Sequence, residues 1–133
     1  MTEQTCVIIK PDGVRRRLVG RIIQCFEDAD LTIVALKKTL LSSEVVKEHY
    51  EHLKDQPFFP KLCAFMTESP VILMILEGED AVSRVRKIVG ATNPLKADSG
   101  SIRGQFATDT TRNLVHASDS LDTAAIEIKR FFS

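Results

Sequence analysis

A histidine near the end of the chain lies among side chains that could support its chemistry. His116 stands within residues 113–120, a stretch that also carries an amide, a carboxylate and two hydroxyl groups. Apolar residues precede the imidazole and a helix-like segment follows it, so we expect it at the end of a strand. An imidazole with polar partners nearby can act as a nucleophile or as a general base. One histidine in a polar turn is more often an ordinary surface residue, so its chemistry depends on the groups that the fold brings to it.

Three cationic side chains elsewhere in the chain could bind phosphate. Lys10 directly follows a buried strand, Arg86 lies on a helix whose other face is apolar, and Arg103 lies in a long loop. Taken singly, each is an ordinary surface charge. The chain has neither of the glycine-rich phosphate-binding patterns, GxxxxGK[ST] and GxGxxG. A phosphate site in this protein must therefore use cationic and hydroxyl side chains.

The histidine spacing does not indicate a metal site. His49 and His52 lie three residues apart on a predicted helix, but Tyr50 and Glu51 between them favour an exposed polar face. The three cysteines show no CxxC spacing. We therefore expect no metal to be held by protein side chains alone.

Composition limits the class of protein. The 133 residues indicate one domain over residues 1–133, with an accessible surface of about 7,000 Å² when folded. The 18 basic and 18 acidic side chains cancel, which argues against dedicated binding of nucleic acid or of a membrane surface. An odd number of cysteines in apolar segments is typical of a reducing compartment. No leader-like segment precedes Cys6 and no apolar run reaches about 18 residues, so we expect a cytoplasmic protein.

Hydrophobic periodicity predicts alternating strands and helices. The predicted strands lie at residues 5–9, 31–41, 70–76 and 114–116. The predicted helices lie at residues 18–29, as a pair between 42 and 66, at 81–89 and at 121–132. With the last helix set aside, the order is β-α-β-β-α-β, which predicts an α+β, ferredoxin-like fold with a four-stranded antiparallel sheet. We expect helices to cover one face of this sheet and loops or another subunit to cover part of the other.

Residues 90–112 form a long predicted loop. The segment has turn residues throughout, and it carries Thr92, Lys96, Arg103 and Arg112. A loop of this length in a compact domain is usually functional or disordered. Because it leads directly to the His116 segment, we expect it to be functional.

Six short motifs together resemble the nucleoside diphosphate kinase family. They keep the family's order and spacing from residue 5 to the end of the chain. The combination of N-x-x-H-x-S-D with a distant K-P-D is highly specific. The motifs are VIIKPDGV at 7–14, HY at 49–50, PFFP at 57–60, GATNP at 90–94, GSIRG at 100–104 and NLVHASDS at 113–120.

The resemblance implies a reaction and the residues that perform it. His116 matches the nucleophile whose Nδ1 attacks the γ-phosphate of a nucleoside triphosphate and becomes phosphohistidine; a nucleoside diphosphate then takes the phosphoryl group in a ping-pong mechanism. Asn113 and Lys10 match residues that bind the ribose 3′-hydroxyl, and Lys10 also lies near the transferred phosphate. The phosphate ligands match Arg86, Thr92 and Arg103.

The resemblance also implies the surroundings of the nucleophile. Tyr50 lies beside it, and Phe58 with Leu62 clamps the base by stacking. Glu127 orients the far imidazole nitrogen, and Ser118 supports this contact. The implied substrates are ATP, GTP and other nucleoside di- and triphosphates, with Mg²⁺ held mainly by their phosphates. The implied assembly is a homo-oligomer, a hexamer first and a tetramer next.

One alternative and one departure from the family stay open at this stage. The alternative is a catalytically silent nucleotide-binding or regulatory module, although such a module would be expected to lose His116, Lys10 or Arg103. The departure is Ala117, which stands where most relatives have glycine. Its methyl group would crowd the backbone if the position needs a positive φ, and we expect the change to be tolerated.

Overall fold

The computed structural model describes residues 2–110 and 112–132. In this part of the chain, four strands alternate with helices in the predicted order. The strands are β1 (Thr2–Ile9), β2 (Thr32–Thr39), β3 (Val71–Glu79) and β4 (Val115–Ala117). The helices are α1 (Pro11–Arg15), α2 (Val19–Asp28), α3 (Ser43–His49), α4 (Phe59–Thr67), α5 (Ala81–Val89), α6 (Ile102–Phe106) and α7 (Leu121–Phe132).

The strands form an antiparallel sheet in the order β2-β3-β1-β4. β1 pairs with β3 along its whole length, from Thr2 opposite Glu79 to Ile9 opposite Ile72. Only the last three residues of β1 pair with β4, which places His116 opposite Ile8. The predicted α+β class and four-stranded antiparallel sheet are confirmed, and the most apolar predicted strand is central.

Both faces of the sheet are covered by helices, so the expectation that helices cover only one face is wrong. Successive side chains of a strand point to opposite faces. Val7 and Ile9 of β1 pack into a cluster with residues of α2 and α5. Cys6 and Ile8 pack into a second cluster with residues of α3, α4 and α7. The helix pair and the last helix each carry an apolar stripe, and burying these stripes covers the second face.

Short elements are where the sequence-based boundaries differ most from the structure. Helices α1 and α6 are five residues each, too short to show a helical period, and both were expected as turns or loop. The side chain of Ser101 caps α6 by accepting from the N–H of Gly104 at 3.0 Å. A Cβ at Gly104 would overlap the carbonyl oxygen of Asp98, so this tight turn requires glycine. The described part of the segment 90–112 therefore contains two short helical stretches, a 3₁₀ turn at Pro94–Lys96 and α6.

The accessible surface is 7241 Å², close to the area expected from chain length. In residues 2–110 and 112–132, no helix is long and apolar enough to cross a membrane.

Candidate active site

A cleft of about 950 Å³ lies at the end of the sheet where β1 stops and β4 begins. Residues of α3 and α4, of α5 and the 90–112 segment, and of α7 line the cleft. The cleft brings together side chains that are far apart in sequence, such as Lys10 and Glu127. Every site residue named above lines the cleft except Ser118, which is buried beside it: Lys10, Tyr50, Phe58, Leu62, Arg86, Thr92, Arg103, Asn113, His116 and Glu127.

The imidazole of His116 is fixed through one of its two nitrogens. Nε2 lies 2.9 Å from Oε1 and 3.0 Å from Oε2 of Glu127. A carboxylate only accepts, so Nε2 carries the proton and Nδ1 keeps its lone pair. The side chain is 21% exposed and lines the cleft. The contact therefore selects the tautomer that has its proton on Nε2 and its lone pair on Nδ1.

The carboxylate of Glu127 is itself held in place. The Ser118 hydroxyl donates to Oε1 at 2.7 Å, and Ser118 is tied to β1 by two backbone contacts with Cys6. Burial raises the pKa of the Glu127 carboxyl, but the hydrogen bonds from His116 and Ser118 outweigh burial and bring the pKa below its usual range. Glu127 is therefore charged at neutral pH and accepts firmly from Nε2 of His116.

A second buried histidine was missed by the sequence analysis. His49 is 7% exposed and meets the His116 ring edge-on, with 4.5 Å between the ring centroids. Arg130 donates to its Nδ1 at 3.1 Å, and burial lowers the pKa of His49 to about 3, so the ring is neutral. The expected exposed polar face holds for His52 but is wrong for His49. The spacing from buried Val46 to His49 was the signal that could have found it.

Arg103 is a buried cation that donates hydrogen bonds to the backbone around the site. Its guanidinium donates to the carbonyl oxygens of Gly90 at 2.8 Å, Val115 at 2.5 Å and Asn113 at 3.4 Å. Burial first, and then repulsion from Arg86, lowers its pKa to about 10, so it stays charged at neutral pH. A charge buried at this depth is costly unless an anion or many acceptors face it.

Lys10 and Asn113 form a buried pair on the floor of the cleft. The Lys10 ammonium donates to Asn113 Oδ1 at 2.8 Å. The amide group of Asn113 is oriented by donating to the carbonyl oxygens of Thr92 and Thr110. Burial, with repulsion from Arg103 adding to it, lowers the pKa of Lys10 to about 8. The floor of the cleft thus offers a hydrogen-bond donor, the Lys10 ammonium, beside an acceptor, the Asn113 amide oxygen.

Aromatic and apolar groups line the mouth of the cleft. Phe58 is 45% exposed at the start of α4, and Leu62 lies one turn further along the same helix. Tyr50 is buried at the end of α3, and its hydroxyl has no hydrogen-bond partner in the described residues. An exposed ring beside an apolar side chain can take up a flat aromatic ligand by stacking.

Arg86 reaches the site from α5, with Nη1 lying 3.4 Å from the carbonyl oxygen of Ala117.

Ala117, which stands where most relatives have glycine, lies in β4 opposite Val7, and its φ is not positive. Its methyl group therefore causes no backbone strain. The positive φ in this segment belongs instead to Leu114.

The metal-binding potential of the cleft is limited. Within residues 2–110 and 112–132, His49, His116 and Glu127 form one group with possible ligand atoms within 4.8 Å of one another. The Arg130 guanidinium already occupies Nδ1 of His49, and Lys10 adds positive charge to the same cleft. Mg²⁺ prefers oxygen ligands and is usually bound through one or two carboxylates plus substrate phosphates. The cleft therefore suits a magnesium ion that arrives on a polyanionic ligand.

The geometry as a whole suits a polyanion that carries a flat group. Lys10, Arg86 and Arg103 line the same cleft as the oriented imidazole of His116, and the exposed ring of Phe58 offers a stacking surface. Positioning and charge neutralisation of this kind are what phosphoryl transfer requires of a protein.

Comparisons with known proteins agree with this chemistry. The family profile described as "Nucleoside diphosphate kinase" matches residues 3–133. A curated protein of that name from Methanobrevibacter smithii is 50% identical over 133 residues, which are 100% of this chain and 89% of that protein. A second, from Methanothermobacter thermautotrophicus, is 52% identical over 130 residues, covering 98% of this chain and 87% of that protein.

Solved structures show the same likeness in three dimensions. A crystal structure of nucleoside diphosphate kinase from Encephalitozoon cuniculi superposes with a TM-score of 0.96 at 42% identity, covering 98% of this chain and 88% of that one. The Aquifex aeolicus nucleoside diphosphate kinase gives a TM-score of 0.95 at 40% identity, covering 100% of this chain and 96% of that one.

Proposed function

The chain belongs to the nucleoside diphosphate kinase family, and we propose that it moves the terminal phosphoryl group of a nucleoside triphosphate to a nucleoside diphosphate through a phosphohistidine at His116. The observation that carries the assignment of His116 is its contact with Glu127. That contact holds the proton on Nε2 and leaves the Nδ1 lone pair available in a cleft that Lys10, Arg86 and Arg103 also line.

The reaction proceeds in two balanced steps. In the first, the Nδ1 lone pair of His116 forms a bond to the γ-phosphorus while the bond to the β–γ bridging oxygen breaks, and the nucleoside diphosphate leaves with that electron pair. The Nε2 proton stays hydrogen-bonded to Glu127, whose negative carboxylate offsets the positive charge that develops on the ring. In the second step, a terminal oxygen of another nucleoside diphosphate attacks the same phosphorus, and the N–P bond breaks to restore neutral His116.

The cations supply most of the stabilisation that the protein itself gives this reaction. Lys10, Arg86 and Arg103 neutralise the phosphate oxygens, and Thr92 adds a hydroxyl contact. A single well-placed arginine can be worth about 10³–10⁵ in rate at such a transition state. Mg²⁺ would be held mainly by the nucleotide phosphates and would supply further charge neutralisation, and the exposed carboxylate of Asp119, which also lines the cleft, would offer it an oxygen ligand.

The nucleoside is held at two places. The Lys10–Asn113 pair binds the ribose 3′-hydroxyl, since it offers a donor and an acceptor side by side. Phe58 stacks on the base, and Leu62, four residues along the chain in α4, adds an apolar contact. Every base has a π-face, so stacking accepts purines and pyrimidines alike.

The test is transfer of label in two stages. The protein is incubated with γ-labelled ATP, freed of nucleotide, and then given one of several purine or pyrimidine nucleoside diphosphates. We expect label on the protein that moves to each diphosphate. Label that never appears on the protein, or that moves to a single base only, contradicts the proposal.

Glu127 should act through His116 and leave nucleotide binding intact. Glu127→Ala removes the acceptor that orients the imidazole; loss of the equivalent contact at metal-bound histidines typically costs about 10–100-fold, and we take the same scale by analogy. We expect turnover to fall by that factor while the affinity for ADP changes little, measured by steady-state kinetics and calorimetry. Glu51→Ala, an exposed acid on the same cleft wall, is the matched control. A large loss of ADP affinity with normal phosphorylation of His116 would show that Glu127 binds nucleotide instead.

We also propose a homo-oligomer built from dimers, a hexamer first and a tetramer next. The covered second face removes one reason for this expectation, but β2 provides another. It lies at an edge of the sheet, and Val34 and Leu36 on it are 47% and 46% exposed. An apolar edge strand is a natural surface for pairing with a second copy. Leu95, in the 90–112 segment, is 94% exposed and supplies a further apolar contact.

Light scattering at micromolar concentration tests the assembly. Wild-type protein should be an oligomer, and Leu36→Lys should shift it towards smaller species because a charge on the edge strand opposes pairing. Leu121→Lys, at a 50% exposed position on α7, is the control. A strictly monomeric and fully active wild-type protein would contradict the proposal.

We propose the cytoplasm as its compartment, since Cys6, Cys25 and Cys63 are all free thiols.

A further inference from the structure

A strained turn lies two residues before the nucleophile. Leu114 is fully buried and has a φ of +78°, a region that non-glycine residues rarely adopt. The N–H of Val115 donates to the carbonyl oxygen of Asn113 at 2.9 Å, across Leu114. A hydrogen bond between residues i and i+2 around a positive φ marks the rarer and more strained form of the γ-turn. Leucine has no intrinsic preference for this conformation, so the surrounding structure must impose it.

The segment that follows β1 holds this turn from both sides of Leu114. The Asp12 carboxylate accepts from the Leu114 N–H through Oδ2 at 3.1 Å. The Lys10 N–H donates to the Leu114 carbonyl oxygen at 2.8 Å. A Cβ at Gly13 would lie 3.2 Å from that same oxygen and 2.8 Å from Cγ2 of Ile9, so glycine allows the close approach. Both polar groups of the strained residue are therefore satisfied by one short segment.

The turn separates two groups of the active site. On one side, Asn113 points its Oδ1 at the Lys10 ammonium. On the other side, Val115 begins β4 opposite Ile9, which sets the register of His116. A change in φ at Leu114 would move Asn113 relative to His116. The conformation of this one residue therefore fixes the distance between the proposed sugar contact and the proposed nucleophile.

We propose that Asp12 is a positioning residue of this active site, whose carboxylate holds the turn at Leu114 and so places Asn113 against Lys10 and His116 in register. Asp12 does not line the cleft, so it acts through Leu114 and not on the substrate. This inference rests on the proposed function, because Asn113 and His116 take their roles from it.

A second explanation has to be separated from this one. The negative charge of Asp12 also favours the charged form of Lys10 and works against the lowering of its pKa. If charge were the role of Asp12, its position against the Leu114 N–H would be incidental. Two substitutions distinguish the alternatives. Asp12→Asn keeps an acceptor in the same place and removes the charge, whereas Asp12→Glu keeps the charge and shifts the acceptor by one methylene.

The measurement compares two acceptors on the phosphorylated enzyme. For each variant, kcat/KM is determined with a nucleoside diphosphate and with its 3′-deoxy analogue. The ratio of the two values is independent of the fraction of folded protein, so a partly unfolded variant still reports on the site. Asp122→Glu, an exposed aspartate in the first turn of α7, is the control for the substitution itself.

The two explanations predict opposite orders of kcat/KM for Asp12→Asn and Asp12→Glu. We expect Asp12→Asn to keep kcat/KM and the discrimination ratio within about twofold of wild type. We expect Asp12→Glu to lose kcat/KM, and Asp12→Leu to lose about 10²-fold, the scale of an ångström-sized misplacement. Both should also discriminate less against the 3′-deoxy analogue. If Asp12→Leu does not fold, the comparison of the Asn and Glu variants still decides the question.

Two results would overturn the inference: an Asp12→Glu variant as active as wild type, or an Asp12→Asn variant more impaired than Asp12→Glu. A wild-type enzyme that accepts the 3′-deoxy analogue equally well is a different failure, since it refutes the proposed sugar contact. In that case the order of kcat/KM among the variants still tests the positioning role. Hydrogen exchange of the Leu114 amide, measured by NMR, should be faster in Asp12→Leu than in wild type.

Discussion

Replacing His116 with alanine should abolish transfer of label from γ-labelled ATP to the protein and, with it, turnover. The imidazole lines the cleft and has an oriented lone pair, whereas the Ser118 hydroxyl, which also contacts Glu127, is fully buried and does not line the cleft. The fold should survive, because the side chain is 21% exposed and its loss leaves only a small cavity at the end of the sheet. Thermal unfolding followed by circular dichroism checks the fold, and label transfer checks the chemistry.

His52 is the matched control for this experiment. It is an exposed histidine that also lines the cleft, but it has no carboxylate partner in the described residues. His52→Ala should therefore be labelled as wild type is. The label on wild-type protein should be lost in acid and kept in base, as expected for a phosphoramidate. Undiminished turnover of His116→Ala, or a label that resists acid, would refute the assignment of the nucleophile.

The long elements were predictable because each one shows a full period of its pattern. The apolar run in β3 is the most hydrophobic in the chain, and it lies in the middle of the sheet as expected. Helices α2, α5 and α7 repeat their apolar positions over two or more turns. Helices α1 and α6 have five residues each and cannot show such a repeat, so their helical state depends on capping and tertiary contacts.

The candidate site follows from the motifs and much less from periodicity. Nothing in the residue pattern says that Lys10 and Asn113 meet, because that contact depends on the pairing of β1 with β4. The resemblance to a family supplied this information, since its motifs record the positions that the fold brings together. The structure then adds contacts that the resemblance did not imply, such as the buried His49 and its bond to Arg130.

The turn at Leu114 shows most clearly what a sequence pattern leaves out. Leu114, Val115 and His116 read as a short strand, yet β4 begins only at Val115. A strained φ is imposed by contacts from elsewhere in the chain, here by Asp12 and Lys10, and it carries no local signal. Local rules are expected to fail where the structure is organised for function.

Replacing Arg103 with alanine should be the most damaging change among the cations. Its guanidinium performs two tasks: it adds positive charge to the cleft, and it binds the carbonyl oxygens of Asn113 and Val115 on both sides of the Leu114 turn. Alanine would remove the charge and leave those carbonyl oxygens without this partner. We expect kcat/KM to fall by about 10³-fold or more, which corresponds to about 4 kcal/mol of transition-state stabilisation.

A lysine at this position separates the two tasks. Arg103→Lys keeps a positive charge but loses the planar fork that reaches three carbonyl oxygens at once, so we expect an activity between those of wild type and Arg103→Ala.

Arg84 is the matched control for Arg103→Ala, because its guanidinium also donates to backbone carbonyl oxygens, those of Ala29 and Glu79, outside the cleft. Arg84→Ala should lower the melting temperature and leave kcat/KM of the folded enzyme unchanged. If Arg103→Ala lowered only the melting temperature, Arg103 would support the backbone without contributing to phosphoryl transfer. If Arg103→Lys retained full activity, the charge alone would account for its role.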